Sequence, residues 1–355
     1  MRAGIGILAL LCMLLSGCSV LPYPREMEDM ALLRTMGVDR EEDGLLVTVS
    51  TGPRARGLQG EQEPALVLSA QRGSLSSAAL AIQALSDSYV FFGYIDQLLL
   101  GEELVKSGVV PVLDYYARDV ELGLGVQLWV VQGAMAQQAV ESGGEEGVDQ
   151  RLSTLRTDGE MGVAAISRTA LDVYSDLLEL GCCYIPALVL SSQDGATLME
   201  SGYAVVQTEG LAGFLEGEAA RGLELLAGKP SADVLEMELP QGIVTVRVSK
   251  AVTVCSLDRN GRLELSCRVS AHLVERPDTV RDEELEKLRK ALEERELGRV
   301  QAVLDQLRQW QTDCLGLGAK GSLRTPGVWR GIEEDWPQQF ANQTPNVDLK
   351  VEIHR

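Results

Sequence analysis

A cysteine at position 18 constrains this chain most, because it decides which residues reach the folded protein. Arg2 is followed by an apolar stretch from Ile5 to Leu15 and then by Ser16-Gly17-Cys18. A basic start, a short apolar core and small residues before the cut are typical of a secretory signal peptide, and the core is shorter than the roughly 20 residues of a transmembrane helix. Small residues directly before a cysteine form the pattern of a bacterial lipobox. We therefore predict cleavage after residue 17 and a diacylglyceryl group on Cys18. The alternatives are an ordinary cleaved signal or an uncleaved anchor, each with an incidental cysteine.

The composition of the remaining chain favours folded domains, which the predicted lipid anchor would hold at a bilayer outside the cytoplasm. Removal of 17 from 355 residues leaves 338. The sequence is 45% hydrophobic, so a chain of this length can build two or three hydrophobic cores. The formal net charge of -20, from 52 acidic and 32 basic residues, argues against nucleic acid as a partner. The same charge repels an anionic lipid surface, so we expect the membrane to be reached through the lipid anchor alone.

Cysteine and histidine usage gives no sign of a metal or a disulfide framework. Cys255 and Cys267 flank a predicted hairpin turn at Asn260-Gly261, where a two-residue turn would place Cys255 opposite Ser266. Whether these two cysteines form a disulfide is left open by the sequence. Five cysteines remain after residue 18, without a C-x-x-C pair, and we interpret them as small buried thiols: Cys182, Cys183, Cys255, Cys267 and Cys314.

The sequence also offers little for catalysis. The chain has two histidines, His272 and His354, and we interpret both as structural residues. The phosphate-binding loop, the nucleophile elbow and the zinc-protease motif are all missing from the sequence. We therefore predict no catalytic residues, no metal and no cofactor.

Hydrophobic periodicity predicts strands that alternate with helices in the first half of the chain. Cys182 to Leu190 is apolar around Pro186, so it is predicted to be an edge or terminal strand. The segment 141–149, rich in Gly and Glu, is predicted to be a loop or hinge. The other predicted strands cover residues 35–39, 45–51, 65–71, 94–100 and 125–132. The predicted helices cover residues 25–33, 74–88, 102–106, 111–116 and 162–180.

The second half of the chain is predicted to contain a long hairpin and a long helix. Residues 281–310 carry an apolar stripe at helical spacing, and Val347, Leu349, Val351 and Ile353 alternate on one face of a closing strand. Residues 209–215 are predicted to turn the chain. The remaining predicted elements are strands over 202–206, 234–239, 243–257 and 262–275 and a helix over 218–226.

Together these elements predict an α+β fold of several domains, with mixed sheets and packed helices behind a lipoprotein signal peptide. Residues 1–17 are the signal peptide and residues 18–24 the lipidated tether. Residues 25–190 form an N-terminal α/β region, which a hinge near 141–150 could divide into two subdomains. Residues 191–355 form a C-terminal α+β domain.

Several short sequence blocks follow the lipobox in a set order along the chain. They are Arg25-Glu26, Gly37-Val38-Asp39, Gly101-Glu102-Glu103-Leu104 with Gly108, Arg118-Asp119-Val120-Glu121, Gly202-Tyr203-Ala204-Val205, Gly210 to Leu215 with Gly222-Leu223, Gly316-Leu317-Gly318, Trp329 and Trp336. The order of these blocks resembles the Ger(x)C family of spore germination lipoproteins, the C subunits of nutrient germinant receptors. Two departures are Ser19 to Pro22, where the family usually has a tryptophan, and Tyr94, where a histidine is common.

The resemblance implies a subunit without enzymatic activity, on the outer face of the spore's inner membrane. Its partners would be the A subunit and the transporter-like B subunit of the same receptor. Arg118, Asp119 and Glu121 are candidate partner contacts, the alternative being a solvated helix end. A second hypothesis is a solute-binding lipoprotein that delivers a small molecule to a transporter. Against it, aromatic residues make up 5% of the chain and the two repeated βα lobes of such proteins are not evident.

Overall fold

The computed structural model describes residues 30–56, 61–191, 197–239, 242–275 and 281–354. The predicted signal peptide and the lipidated tether, including Cys18, lie outside the described residues. The fold is α+β, as predicted, with a large mixed sheet, a smaller second sheet and helices packed against both.

The larger sheet contains nine strands in the part of the chain that the structure describes. Four adjacent strands, β1, β7, β8 and β9, run parallel, and antiparallel strands flank them on both sides. The order is β5-β2-β1-β7-β8-β9-β10-β11, with β6 beside the start of β1. The bounds are β1 Met30–Glu41, β2 Gly44–Thr51, β5 Val67–Arg72, β6 Tyr89–Phe91, β7 Gln97–Gly101, β8 Gln127–Val131, β9 Cys182–Ser191, β10 Thr197–Gln207 and β11 Gly210–Leu215; β3 Arg54–Arg56 and β4 Glu61–Glu63 pair separately.

Helices cover both faces of this sheet, because side chains of successive strand residues point to opposite faces. Leu98, Leu100 and Leu128 pack with α1, α3 and α6, whereas Leu99 and Trp129 pack with α4 and α5 on the other face. The helix bounds are α1 Leu75–Leu85, α2 Glu102–Lys106, α3 Val110–Arg118, α4 Ala136–Glu141, α5 Asp149–Glu160 and α6 Ala170–Leu180.

The second sheet has the order β12-β13-β14-β15 and packs against a long helix. Helix α8 spans 28 residues, or about 42 Å, and buries an apolar stripe that includes Leu292, Val300 and Leu307. The closing strand β15 runs parallel to β14, inside the sheet of this part of the chain. The bounds are β12 Asp233–Leu239, β13 Gly242–Leu257, β14 Leu263–Glu275, β15 Asn346–His354, α7 Gly217–Leu226, α8 Asp282–Gln309, α9 Leu317–Ser322, α10 Pro326–Trp329 and α11 Trp336–Asn342.

The larger sheet continues across the predicted division at residues 190 and 191. Strands β10 and β11 extend it, and Tyr184, Tyr203 and Leu215 share one core with α7, α8 and the second sheet. The predicted boundary between residues 190 and 191 therefore stays a prediction about how the sequence is divided. In space, the two parts share a sheet and a core.

Several local predictions differ from the structure, among them the helix predicted over residues 162–180, which begins only at Ala170. Residues 30–33, predicted as the end of a helix, form the start of β1, because Ala31 and Leu33 are buried by strand pairing with β2 and β6. Strand β9 is interior rather than an edge strand. It pairs with β10 along its length and with β8 only at Ala187 and Leu188, beyond Pro186. Residues 210–215 form strand β11 instead of a turn, and helices α4 and α5 were not predicted from the sequence.

Candidate functional site

The three predicted contact residues lie together where α3 ends. Arg118 is the last residue of α3, and its guanidinium lies 3.4 Å from the Asp114 carboxylate on the same helix. Asp119 ends the helix, and its Oδ1 accepts the backbone N–H of Glu121 at 2.9 Å and of Leu122 at 3.3 Å. These bonds close a turn directly after the helix.

The Asp119 carboxylate accepts hydrogen bonds from its own turn and from Tyr115 of the same helix. Burial, together with the negative charge of Asp119, which accepts a hydrogen bond from this tyrosine, raises the pKa of Tyr115 to about 12. Arg118 and Glu121 remain exposed. The structure thus brings the three predicted residues together, but it leaves only Arg118 and Glu121 free to face a partner.

An apolar surface, which the sequence analysis did not predict, lies beside this turn. We call it the aromatic surface and define it as Tyr89, Phe91, Tyr94 and Val120. The rings of Phe91 and Tyr94 meet edge to face with centroids 5.8 Å apart, and the Tyr89 hydroxyl lies 3.5 Å from Glu121 Oε1. A signal was present, since residues 89–94 contain four of the chain's twelve Phe and Tyr residues.

A crevice of about 470 Å³ opens where strands β1, β7 and β8 end. Ligands of α/β sheets commonly bind at the carboxyl ends of parallel strands, so this crevice is a second candidate site. The buried Asp39 carboxylate accepts the backbone N–H groups of Ala136 at 2.7 Å and Gln137 at 2.9 Å, at the start of α4. Gly101 makes this possible, because a Cβ at that position would lie 1.9 Å from Asp39 Oδ1.

The carboxylates of this crevice hold the sheet edge together. Burial raises the pKa of Asp39 above its usual range, against the effect of its two backbone hydrogen bonds. Glu102 accepts the backbone N–H of Gly133 at 2.7 Å and pairs with Lys106 at 2.8 Å. The hydrogen bond and ion pair to Lys106 lower the pKa of Glu102. These groups join strand ends to the helices that follow, which is a structural role.

A buried polar network joins the two parts of the chain. The Tyr203 hydroxyl of β10 donates to Glu224 Oε1 of α7 at 2.9 Å and accepts the backbone N–H of Ile166 at 2.7 Å. The second oxygen of Glu224 accepts the Ser231 hydroxyl at 2.6 Å. Because a buried carboxylate without partners is costly, this network fixes how α7 sits on the larger sheet.

Arg299 of α8 forms a second junction. Its guanidinium contacts Glu218 at 2.6 Å, Asp233 at 2.5 Å and Glu296 at 3.1 Å, so it ties α8 to the beginnings of α7 and β12. These ion pairs raise the pKa of Arg299 against the opposing effect of burial. The Arg299 guanidinium therefore holds α8 against α7 and β12.

The thiols show no activation in the described residues. Cys255 lies opposite Leu265, and Cys267 lies opposite Thr253, so the two cysteines are offset by two residues in the hairpin and both are free. Burial raises the pKa of Cys182 to about 12 and that of Cys255 to about 11. A thiol that stays protonated is a poor nucleophile.

Metal-binding clusters and membrane-spanning helices are absent from the described ranges. No group of three or more His, Cys, Asp or Glu side chains there is arranged to hold a metal ion. No helix in the same residues has the length and apolar character needed to cross a membrane.

Comparison with known proteins assigns the chain to a class of spore germination proteins. The family model described as spore germination protein N-terminal domain matches residues 24–190, and the one described as spore germination B3/GerAC like, C-terminal, matches residues 201–355. The chain therefore belongs to the GerAC-like family of spore germination proteins, as the sequence blocks predicted.

Two curated relatives and one solved structure agree with this assignment. Spore germination protein B3 of Bacillus subtilis (strain 168) is 20% identical over 343 residues, which cover 93% of this chain and 92% of the relative. Spore germination protein KC of the same organism is 22% identical over 369 residues, with 93% and 90% covered. The crystal structure of the GerBC protein shares the fold, with a TM-score of 0.59 at 16% identity over 90% of this chain and 97% of that chain.

Proposed function

We propose that this protein is a lipid-anchored, non-enzymatic subunit of a nutrient germinant receptor, needed for spores to germinate in response to nutrients. The observation that carries the proposal is the match of both family models in order, behind a lipobox at residues 16–18. The buried side chains of Asp39, Glu224 and Arg299 form hydrogen bonds or ion pairs that hold elements of the fold together. Their structural role supports a function in assembly rather than in catalysis.

The proposed location is the outer face of the spore's inner membrane, and the proposed partners are the receptor's A and B subunits. Two acyl chains on Cys18 would hold the protein there without a transmembrane helix. Arg118 and Glu121 are proposed to face those partners, while Asp119 supports the turn that presents them.

The alternative, a solute-binding lipoprotein, has less support. Such a protein needs two similar βα lobes around a ligand cleft. The described strands instead form a nine-stranded sheet, a four-stranded sheet of different topology and a short two-stranded pair. We therefore retain the receptor subunit as the proposal.

The proposed anchor is tested by Cys18→Ala, with Cys12→Ala in the predicted signal peptide as the matched control. We expect the Cys18→Ala protein to lose the lipid by mass spectrometry, leave the membrane pellet after a high-salt wash and fail to restore nutrient germination to a deletion strain. Cys12→Ala should behave like the wild type. A Cys18→Ala protein that stays fully in the pellet would contradict the anchor.

The proposed partnership is tested by purifying the tagged protein from spore inner membranes. We expect integral-membrane receptor subunits to co-purify, and Arg118→Ala combined with Glu121→Ala to reduce their recovery. Arg330→Ala, an exposed arginine in the last part of the chain, is the control. Recovery of an ABC transporter instead would favour the alternative.

A further inference from the structure

We infer that the aromatic surface, Tyr89, Phe91, Tyr94 and Val120, rests in the interfacial region of the lipid bilayer to which the chain is anchored. The inference rests on the proposed function for its anchor at Cys18. In this orientation, the end of the folded body that carries the aromatic surface faces the lipid.

The aromatic surface is built around the start of the described chain. Strand β6 runs parallel to the first residues of β1, with Met30 opposite Tyr89 and Leu32 opposite Phe91. The Phe91 ring folds over Gly93, where an added Cβ would lie 2.7 Å from the ring. The same Cβ would lie 3.3 Å from the Glu121 carbonyl oxygen, so the turn that carries Val120 sits directly against the aromatic segment.

Two residues of this surface are exposed and two are half-buried. Val120 is 99% exposed at the tip of its turn, and Tyr94 is 49% exposed. Tyr89 and Phe91 are half-buried. Contiguous exposed apolar groups commonly mark an interaction site, and tyrosine suits a bilayer interface because its ring is apolar and its hydroxyl is polar.

The position of the anchor identifies the lipid as the occupant. Cys18 precedes Met30 by 12 residues, and a chain of that length spans at most about 40 Å even when fully extended. The end of the body that holds Met30 is therefore the end kept nearest the membrane. The aromatic surface lies at that end and faces the lipid with the residues that bilayer interfaces favour.

The surrounding charges specify the kind of membrane contact. Asp87, Asp119 and Glu121 border the surface, and Arg118 is already near Asp114. An acidic border gives no attraction to anionic headgroups, so contact depends on the apolar groups and should be stronger on zwitterionic than on anionic lipid.

The experiment places a thiol-linked, environment-sensitive fluorophore on Val120→Cys in the full-length lipidated protein. The matched control is Leu323→Cys, which is 84% exposed after α9, a helix packed on β13 of the second sheet. Four of the five described cysteines are buried, and unsubstituted protein gives the background labelling of Cys255. Both labelled proteins are reconstituted in phosphatidylcholine vesicles that carry a nitroxide-lipid quencher.

We expect the fluorophore at position 120 to shift to the blue and be quenched several times more than the one at position 323. Replacing part of the phosphatidylcholine by phosphatidylglycerol should weaken this difference. Equal, weak quenching at both positions would overturn the inference, as would protection of position 120 that requires co-reconstituted receptor subunits, because the surface would then be a protein interface.

A second arm separates this inference from the proposed anchor. Mass spectrometry reports the lipid on Cys18, and its absence would contradict the proposed function. A mature chain with a polyhistidine tag in place of Cys18, bound to nickel-chelating lipid, supplies the same tether. Residues 89–94 should then exchange backbone hydrogen more slowly on vesicles than in solution, and unchanged exchange would overturn the inference whatever the state of Cys18.

Discussion

Asp313 is a buried carboxylate that organises the last part of the chain. Its oxygens accept the backbone N–H groups of Leu317 and Gly318, each at 2.8 Å, and the Trp336 indole N–H at 2.9 Å. A Cβ at Gly318 would lie 2.3 Å from the Trp336 ring. The residues Gly316-Leu317-Gly318 and Trp336, which carried part of the family resemblance, are therefore explained by one capped turn.

Replacing Asp313 tests this account at a single residue. Asp313→Ala leaves three buried donors without an acceptor, and each unsatisfied buried group costs about 1–3 kcal/mol. Burial raises the pKa of Asp313, which offsets part of this loss because the charged form is already disfavoured. Because three donors lose their acceptor, we expect the free energy of unfolding, measured by denaturant titration, to fall by at least about 2 kcal/mol even after this offset.

The control for that change is Asp305→Ala. The Asp305 side chain is exposed and pairs with Arg308 at 3.1 Å on the surface of α8, so its loss should change the free energy of unfolding by less than about 0.5 kcal/mol. Equal effects of the two substitutions would contradict the organising role of Asp313.

At the scale of elements, the packing of α7 on α8 depends on a glycine. A Cβ at Gly222 of α7 would lie 2.0 Å from the Arg299 carbonyl oxygen of α8, whereas a Cβ at Gly298 of α8 would meet nothing within 4 Å. The two helices can approach closely only because Gly222 has no side chain. Arg299 is then brought within reach of Glu218.

Two glycine substitutions should therefore act in opposite directions. Gly222→Ala forces the helices apart and should lower the free energy of unfolding by about 1–3 kcal/mol. Gly298→Ala adds helix propensity at an open position and should raise it by about 0.5–1 kcal/mol. Thermal unfolding of both variants measures the difference. An unchanged free energy of unfolding in Gly222→Ala would show that α7 and α8 are not closely packed at this position.

The sequence predicted those elements whose signals are local. Ser74 caps α1, and Gly181 ends α6 in the left-handed conformation. The closing strand that alternation predicts is β15, which lies in a sheet. The errors arose where tertiary pairing overrides local pattern. Pro186 suggested an edge strand, but β8 is paired near its start with Thr169 and meets β9 only beyond the proline.

The candidate site was predictable only in part for the same reason. The spacing of Arg118, Asp119 and Glu121 in sequence guarantees that they are neighbours. It cannot show that Asp119 bonds its own turn, or that Tyr89 and Tyr94, about 25 to 30 positions earlier, lie against that turn. The aromatic surface depends on the parallel pairing of β6 with β1, which no local pattern specifies.

At the scale of the whole molecule, one core joins the two sheets. Tyr203 and Leu215 of the larger sheet pack in the same cluster as Val269 of β14 and Val351 of β15. The Tyr203–Glu224 hydrogen bond crosses the same junction. Because an apolar cluster loses stability as a unit, we expect the two parts of the chain to unfold together.

Val351→Asp tests this coupling from the far end of the chain. Val351 is buried, and its backbone N–H donates to Glu293 of α8 at 3.1 Å, so a new carboxylate would be buried near another. We expect the free energy of unfolding to fall by at least about 2 kcal/mol, with Lys350→Gln on the exposed face of β15 as the neutral control. Hydrogen exchange should show that β10 of the larger sheet loses protection together with β14. Two separate thermal transitions in the wild type, with β10 still protected in Val351→Asp, would instead favour independent units on either side of residues 190 and 191.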